Sequence, residues 1–201
     1  MTCRSSIQNE NCDGSLNDLN SKFLLGTIGR FNPQKDHVGL LKSLDLVKRR
    51  CSEFSAVLIG KDITSNNLFL MDKIKKIEFE DNISLLGQRT DIATIMNSLD
   101  VHILSSSFGE GFPNVVAEAM ACGTPCITTD VGDAAIIVGD TGWVVPPKDP
   151  QALANAILEA MEEKQNNPQA WQARKQACRE RIINNFSIEK MVSSYHQVWF
   201  N

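Results

Sequence analysis

Residues 105–123 have the sequence SSSFGEGFPNVVAEAMACG, and this stretch decides the predicted fold. It follows the apolar run Val101 to Leu104, which is typical of a buried strand. It then passes through two glycines into a segment bounded by Pro113 and Gly123. A proline at the start and a glycine after the end are typical of a helix. The stretch therefore predicts a strand, a tight turn and a helix in direct succession.

The start of this predicted helix is suited to binding an anion. The backbone N–H groups of Asn114 and Val115 have no partner within the helix, and the helix dipole adds positive potential at the same place. Two carboxylates belong to the same unit. Glu110 lies in the turn, and Glu118 lies about a turn and a half into the helix. We expect neither side chain to lie in the core.

The rest of the chain alternates short apolar segments with amphipathic ones. Strands are predicted at 23–28, 54–59, 82–86, 101–104, 125–129 and 142–145. Helices are predicted from Asp36 to about Arg50, Asn67 to about Phe79, Asp91 to Ser98, Pro113 to Gly123, Asp149 to beyond Met161, Pro168 to about Asn185, and from Ser187 onward. This alternation predicts an α/β fold with a doubly wound, mostly parallel, Rossmann-like sheet of about six strands and extra C-terminal helices.

Three segments are predicted along the chain. Residues 1–22 are polar and aperiodic, which favours a linker or a disordered N-terminal segment. Residues 23–185 form the Rossmann-like domain, and residues 186–201 form a C-terminal helix whose apolar stripe is more typical of packing than of a cofactor site.

Composition excludes several classes of protein. A 42% apolar fraction, 22% charged residues and a net charge of -4 are typical of a globular protein and do not favour nucleic acid binding. No apolar run is long enough to cross a bilayer and no signal peptide is present, so we expect a cytoplasmic protein. The six cysteines contain no C-x-x-C pair, which favours reduced thiols and makes a metal site unexpected.

A second anion-binding feature follows the first strand. Arg30 leaves the end of that strand, and Lys35 stands beside the start of the next helix. Arginine can grip phosphate oxygens bidentately, while lysine acts as a point charge. Because ligands of such sheets lie outside the carboxyl ends of the strands, both cations and the Gly109–Gly111 turn are predicted at one edge.

Two phosphate ligands fit this pattern. Gly109-x-Gly111-x-x-Asn114, with Asp130 roughly 20 residues after the first glycine, mimics the dinucleotide fingerprint. Two features count against NAD. Asn114 replaces the third glycine, and Glu110 places a negative charge where the pyrophosphate would lie. A nucleotide diphosphate-sugar fits both carboxylates, since ionised carboxylates accept hydrogen bonds from paired hydroxyls. Glu118 could then hold the ribose diol and Glu110 the sugar hydroxyls.

The ordered motifs resemble the donor half of retaining glycosyltransferases of family 4, the glycosyl transferases group 1. The resemblance covers residues 23–199 and is carried by GR at 29–30, QKD at 34–36, EGFPN at 110–114, EAMACGTP at 118–125, DTG at 140–142 and VPP at 145–147. The spacing Glu110-x7-Glu118 is similar to that family's signature. The resemblance implies the C-terminal nucleotide-sugar-binding domain of a two-domain GT-B enzyme.

Residue roles follow from the resemblance. Arg30 and Lys35 would neutralise the departing diphosphate, and Glu110 would contact the sugar, so these three are the implied catalytic residues. Glu118 would hold the ribose, and residues 87–89 would lie beside the nucleotide base. Binding contacts are implied for Gly29, Arg89, Gly111, Phe112, Pro113, Asn114, Val115 and Glu118. The chain has no Asp-x-Asp, which agrees with a UDP- or GDP-sugar donor bound without metal or other cofactor.

Some features depart from the family. Asp133 and Ile136 stand where a glycine and a glutamate are common, and Lys61-Asp62 replaces a glycine-rich turn. Family members are about twice as long, so an N-terminal acceptor domain is the expected partner, and a lipid-linked acceptor would bring the full enzyme to the inner face of the cytoplasmic membrane. The predicted function is donor binding in a hexosyltransferase of bacterial surface polysaccharide synthesis. The alternative is a nucleotide-sugar-binding module without turnover.

Overall fold

A computed structural model describes residues 22–200, apart from the side chain of Phe200. Within this range six strands form one parallel sheet in the order β3-β2-β1-β4-β5-β6. The strands are β1 (Phe23–Ile28), β2 (Phe54–Ile59), β3 (Ile83–Leu85), β4 (Val101–Leu104), β5 (Cys126–Thr129) and β6 (Trp143–Val145). The predicted fold class is confirmed. The proposed linker, residues 1–22, lies outside the described residues except for Lys22.

Eight helices connect and cover the strands in the described range. They are α1 (His37–Lys48), α2 (Leu68–Lys75), α3 (Ile92–Ser98), α4 (Asn114–Ala121), α5 (Ala134–Val138), α6 (Pro150–Asn166), α7 (Pro168–Phe186) and α8 (Ile188–Phe200). Side-chain caps fix several starts: the carboxylates of Asp36 and Asp149 accept from the N–H groups of Gly39 and Ala152, each at 2.9 Å. Such caps satisfy N–H groups that the helix itself leaves unpaired.

The two faces of the sheet are buried under different helices. One face packs against α1, α2 and α6, where Leu40, Leu44 and Ile157 are fully buried. The other face packs against α3, α4, α5 and α7, with Val116 and Met120 of α4 inaccessible to solvent. Because both faces are covered, β2, β4 and β5 are buried at every position rather than at alternate ones.

The end of α2 and the cap of α3 differ from the sequence prediction, and β3, β5 and β6 are each one or two residues shorter than predicted. Helix α2 ends at Lys75, four residues before the predicted Phe79, because Glu78 adopts a left-handed φ of 48° and Phe79 turns into the core. Asp91 precedes α3 but does not cap it with its side chain, since its carboxylate binds the Arg89 guanidinium instead.

The remaining expectations concern cysteines and membrane contact. Cys51, Cys122, Cys126 and Cys178 are free thiols, and the last two are buried. Cys3 and Cys12 lie outside the described residues. Every helix of the described range is too short or too polar to span a bilayer.

Candidate functional site

The strand order has its switch point between β1 and β4. The chain places β2 and β3 on one side of β1 and then returns to add β4, β5 and β6 on the other. Ligands of open parallel sheets bind outside the carboxyl ends of the strands at this switch point. The segment after β1 carries Arg30 and Lys35, and the segment after β4 carries residues 105–111. The topology therefore brings the two predicted anion-binding features together.

Three consecutive serines join these two segments, and each has its own partner. The Ser105 hydroxyl donates to the Lys35 carbonyl at 2.8 Å, and the Ser107 hydroxyl donates to the Pro33 carbonyl at 3.2 Å. The Ser107 N–H also binds the Gln34 carbonyl, and the Gln34 amide donates to the Gly109 carbonyl, both at 2.8 Å. Hydrogen bonds thus fix the turn at 33–35 against the turn after β4.

Ser106 contacts the carboxylate of the site. Its hydroxyl donates to Glu110 Oε1 at 2.5 Å, and the Lys35 ammonium binds the same oxygen at 2.6 Å. Ser106 is fully buried, and its carbonyl accepts from the Thr129 hydroxyl at 2.6 Å. The Glu110 side chain is 8% exposed, and the residue as a whole is half-buried. Pairing with Lys35 is what makes this burial tolerable.

Glycines allow the backbones around this pair to approach closely. A Cβ at Gly60 would lie 2.1 Å from the Gly29 carbonyl oxygen, and one at Gly132 would lie 2.2 Å from the Glu110 carbonyl oxygen. Gly132 also has a φ of 60°, which favours glycine. The Lys35 side chain runs past Gly29, whose Cβ would lie 3.4 Å from Lys35 Cδ and Cε. These approaches bring the loops after β1, β2, β4 and β5 to one edge.

The other predicted site residues do not join the Lys35–Glu110 pair. Arg30 follows β1 with an exposed side chain, and Glu118 is exposed on α4. Neither forms an ion pair with another residue in the range 22–200. Arg89 binds Asp91 with two hydrogen bonds of 2.8 and 2.9 Å. A cavity of about 390 Å³ opens beside Gly87, between β3 and α2.

The start of α4 faces outward as the sequence predicts. The N–H groups of Asn114 and Val115 make no backbone hydrogen bond to any other described residue. Pro113 occupies the position before the helix, and a Cβ at Gly111 would meet no atom within 4 Å. Phe112 is 43% exposed and packs against Phe186 at the end of α7, with ring centroids 5.7 Å apart. An anion could therefore approach these N–H groups.

Lys35 also affects the histidines nearby. Burial lowers the pKa of His37 to about 4, and the positive charge of Lys35 contributes to the shift. Burial and the same charge lower the pKa of His102 to about 3. Both histidines are therefore neutral at pH 7, and Lys35 with Arg30 supplies the positive charge at this end of β1.

Sequence analysis missed the part played by Gln34 and by the three serines. The sequence pattern assigns Gln34 no role beyond its place in the QKD motif, and it assigns the serines no role beyond preceding the turn. A run of three hydroxyl side chains directly after a buried strand was the available signal, because polar residues at that place lie at the ligand-binding edge of a parallel sheet.

Comparison with known proteins shows which family the chain resembles. The chain is 28% identical over 173 residues to the capsular polysaccharide biosynthesis glycosyltransferase CapM of Staphylococcus aureus, covering 85% of this chain and 44% of CapM. It is 24% identical over 184 residues to the Escherichia coli UDP-Gal:alpha-D-GlcNAc-diphosphoundecaprenol alpha-1,3-galactosyltransferase, covering 90% of this chain and 46% of that enzyme.

A solved structure shows the same fold. Anabaena HepE, crystallised in complex with UDP and glucose, aligns with a TM-score of 0.74 at 25% identity, covering 96% of this chain and 52% of HepE. The chain thus spans about half the length of each of these proteins. Residues 22–163 match the family described as glycosyl transferases group 1. Because this match extends over most of the chain, the chain belongs to the glycosyl transferases group 1 family.

Proposed function

We propose that this chain is the donor-binding half of a retaining hexosyltransferase of family 4. It would hold a UDP- or GDP-sugar whose sugar is transferred to a glycan or a lipid-linked acceptor in bacterial surface polysaccharide synthesis. The observation that carries this proposal is the meeting of Lys35 and Glu110 at the β1–β4 switch point, beside the open start of α4.

The proposed roles follow from charge and position. The exposed Arg30 guanidinium grips the diphosphate, together with Lys35 and the N–H groups of Asn114 and Val115. Glu110 has its Oε1 occupied by Lys35 and Ser106, and its Oε2 accepts no hydrogen bond from another described residue. This second oxygen is the proposed acceptor for a sugar hydroxyl. The exposed carboxylate of Glu118 takes the ribose diol.

The main contribution to catalysis is stabilisation of the leaving diphosphate. Negative charge develops on that group as the bond to the sugar breaks. Cations and backbone N–H groups that are already in position stabilise this charge without reorganisation. The donor is proposed to bind without a metal ion, and the base lies near Gly87 and Arg89.

Relatives of known substrate agree with this ligand. The E. coli enzyme is named for UDP-galactose, and Anabaena HepE was crystallised with UDP and glucose. Because the chain spans about half of either protein, transfer to an acceptor is proposed to need a second domain. The full enzyme would act in the cytoplasm, at the inner face of the membrane when its acceptor is lipid-linked. The alternative is a binding module that holds nucleotide-sugar without turnover.

Calorimetric titration with UDP, GDP, ADP and NAD tests the ligand. We expect a nucleoside diphosphate to bind, and Arg30→Ala and Lys35→Ala each to weaken binding well over tenfold. The loss of one charge-assisted contact costs about 1.5 to 3 kcal/mol. The control variant Lys190→Ala removes an exposed cation from α8 and should bind like the wild type. Preferential binding of NAD would reject the assignment.

A donor hydrolysis and transfer assay can eliminate the inert-module alternative. The chain by itself is expected to bind donor and to transfer little or nothing, because the acceptor site is assigned to the other half. Measurable turnover by residues 1–201 alone would eliminate the inert-module alternative.

A further inference from the structure

The only ion pair made by Lys35 with another described residue is the one with Glu110. The ammonium-to-carboxylate distance is 2.6 Å. The side chain of Lys35 is 18% exposed, and that of Glu110 is 8% exposed. At this distance and burial the attraction is screened less than that of a surface pair. Any diphosphate that uses Lys35 must therefore share it with a carboxylate.

Ser106 holds Glu110 in this position. The serine is fully buried, and its hydroxyl contacts the same Oε1 atom that Lys35 binds. The Thr129 hydroxyl anchors the Ser106 carbonyl. The close approach of Gly132 to the Glu110 carbonyl oxygen restrains the backbone of the turn from the side of β5. The carboxylate therefore cannot leave Lys35 without breaking a buried hydrogen bond.

We propose that Glu110 is a fixed counter-ion to Lys35 that lowers the affinity of the site for the free nucleoside diphosphate. This inference rests on the proposed function. A donor would offset the repulsion between Glu110 and its phosphates through a hydrogen bond from its sugar to Glu110 Oε2. The diphosphate left after transfer has no sugar, so it meets the same repulsion without compensation. Glu110 thus favours the donor over the product, and Ser106 is the positioning residue for this effect.

Replacement of the Glu110 carboxylate by a neutral group is expected to raise the affinity for the free nucleoside diphosphate. Glu110→Gln should bind UDP or GDP roughly three- to tenfold more tightly than the wild type, since the negative charge beside Lys35, and so close to any phosphate that Lys35 binds, is removed. The same variant should bind the corresponding nucleotide-sugar no more tightly than the wild type. Ser106→Ala should shift diphosphate affinity in the same direction by a smaller factor, because Glu110 is then less firmly held.

Controls separate this effect from general changes in charge or folding. Glu159→Gln removes the same charge from the exposed surface of α6 and should leave diphosphate affinity unchanged. Thermal melting of each variant establishes that it folds. In the background Lys35→Ala, the further change Glu110→Gln should give at least as large a gain, because the phosphates then meet the Glu110 charge with no cation beside it.

A ligand-independent measurement completes the test. The rate at which an amine-acylating reagent modifies Lys35, followed by mass spectrometry, should rise severalfold in Glu110→Gln, since the ammonium loses its partner.

Unchanged or weaker diphosphate binding in a folded Glu110→Gln variant overturns the inference, as does an unchanged labelling rate. If no variant binds a nucleoside diphosphate, the donor-site proposal fails and this inference with it. Binding that depends on Lys35 but not on Glu110 removes only the inference.

Discussion

At the scale of single residues, Lys35 sets the charge balance of the site. Its ammonium pairs with Glu110, and its positive charge adds to the burial that keeps His37 and His102 neutral. A protonated histidine here would sit in a low-dielectric interior beside a like charge, which is unfavourable on both counts. Stability at acid pH is therefore linked to these two rings.

Acid should destabilise the fold through His37. Its pKa is about 4 in the folded protein and 6.5 in the absence of structure, so between these values the unfolded chain binds more protons. The free energy of unfolding should therefore fall as pH falls from 6.5 to about 4, at a rate of up to about 1.4 kcal/mol per pH unit for one proton. Urea unfolding across this range measures the slope.

The substitution His37→Gln should reduce that slope by up to about 1.4 kcal/mol per pH unit, which is the contribution of one proton. This holds whatever the effect of the substitution on stability at pH 7. A His37→Gln slope equal to that of the wild type would contradict the assignment to this ring.

At the scale of elements, the loops at the carboxyl edge support one another. The loop between β5 and α5 packs against the turn after β4 through Gly132, and the Asp133 N–H donates to the Gly111 carbonyl at 3.0 Å. Asp133 precedes α5 without capping it through its side chain, so its backbone contact is what links the loops. The shape of the Glu110 turn therefore depends on a neighbouring strand.

Gly132→Ala should destabilise the protein by about 1 to 3 kcal/mol, the usual cost of a side chain in a left-handed conformation. Its Cβ would also lie 2.6 Å from the Gly111 carbonyl oxygen, so the turn must shift and diphosphate binding should weaken. Denaturant unfolding and calorimetry measure the two effects.

Gly111→Ala is the steric control, because a Cβ there meets no atom within 4 Å and its φ is not positive. Its stability should stay near that of the wild type. Equal stability of the two variants would show that the contact with Gly132 is not restrictive.

At the scale of the whole molecule, the described chain ends in an uncovered apolar face. Six side chains of α8 are between 51% and 76% exposed: Ile188, Met191, Val192, Tyr195, Val198 and Trp199. Large exposed patches of this kind are typical of interaction surfaces. If the chain is the donor-binding half proposed above, the acceptor domain is expected to cover this face.

Removal of residues 187–201 should therefore reduce self-association of the chain and leave its melting temperature nearly unchanged. None of the fully buried core side chains lies on α8 in the described range. Light scattering and thermal melting of both forms measure this. Scattering that is identical with and without the helix would argue against an interaction role for the apolar face.

The sequence by itself determined the local elements and the class of fold. Strands β1, β2 and β4 begin and end at the predicted residues, because each is a mostly apolar run ended by glycine or serine. The motif at 105–123 predicts the turn from its two glycines, and it predicts the helix from Pro113 and Gly123. These features depend on neighbours a few residues apart, which a sequence displays directly.

Only the tertiary structure decided the order of the strands and the contacts between loops. Lys35 and Glu110 are 75 residues apart, and their pairing depends on β4 being placed beside β1 rather than beside β3. The sequence assigned them to two different parts of a ligand, whereas the folded chain brings them into contact with each other. Pairing of distant charges follows from packing of the whole sheet, and no local pattern encodes it.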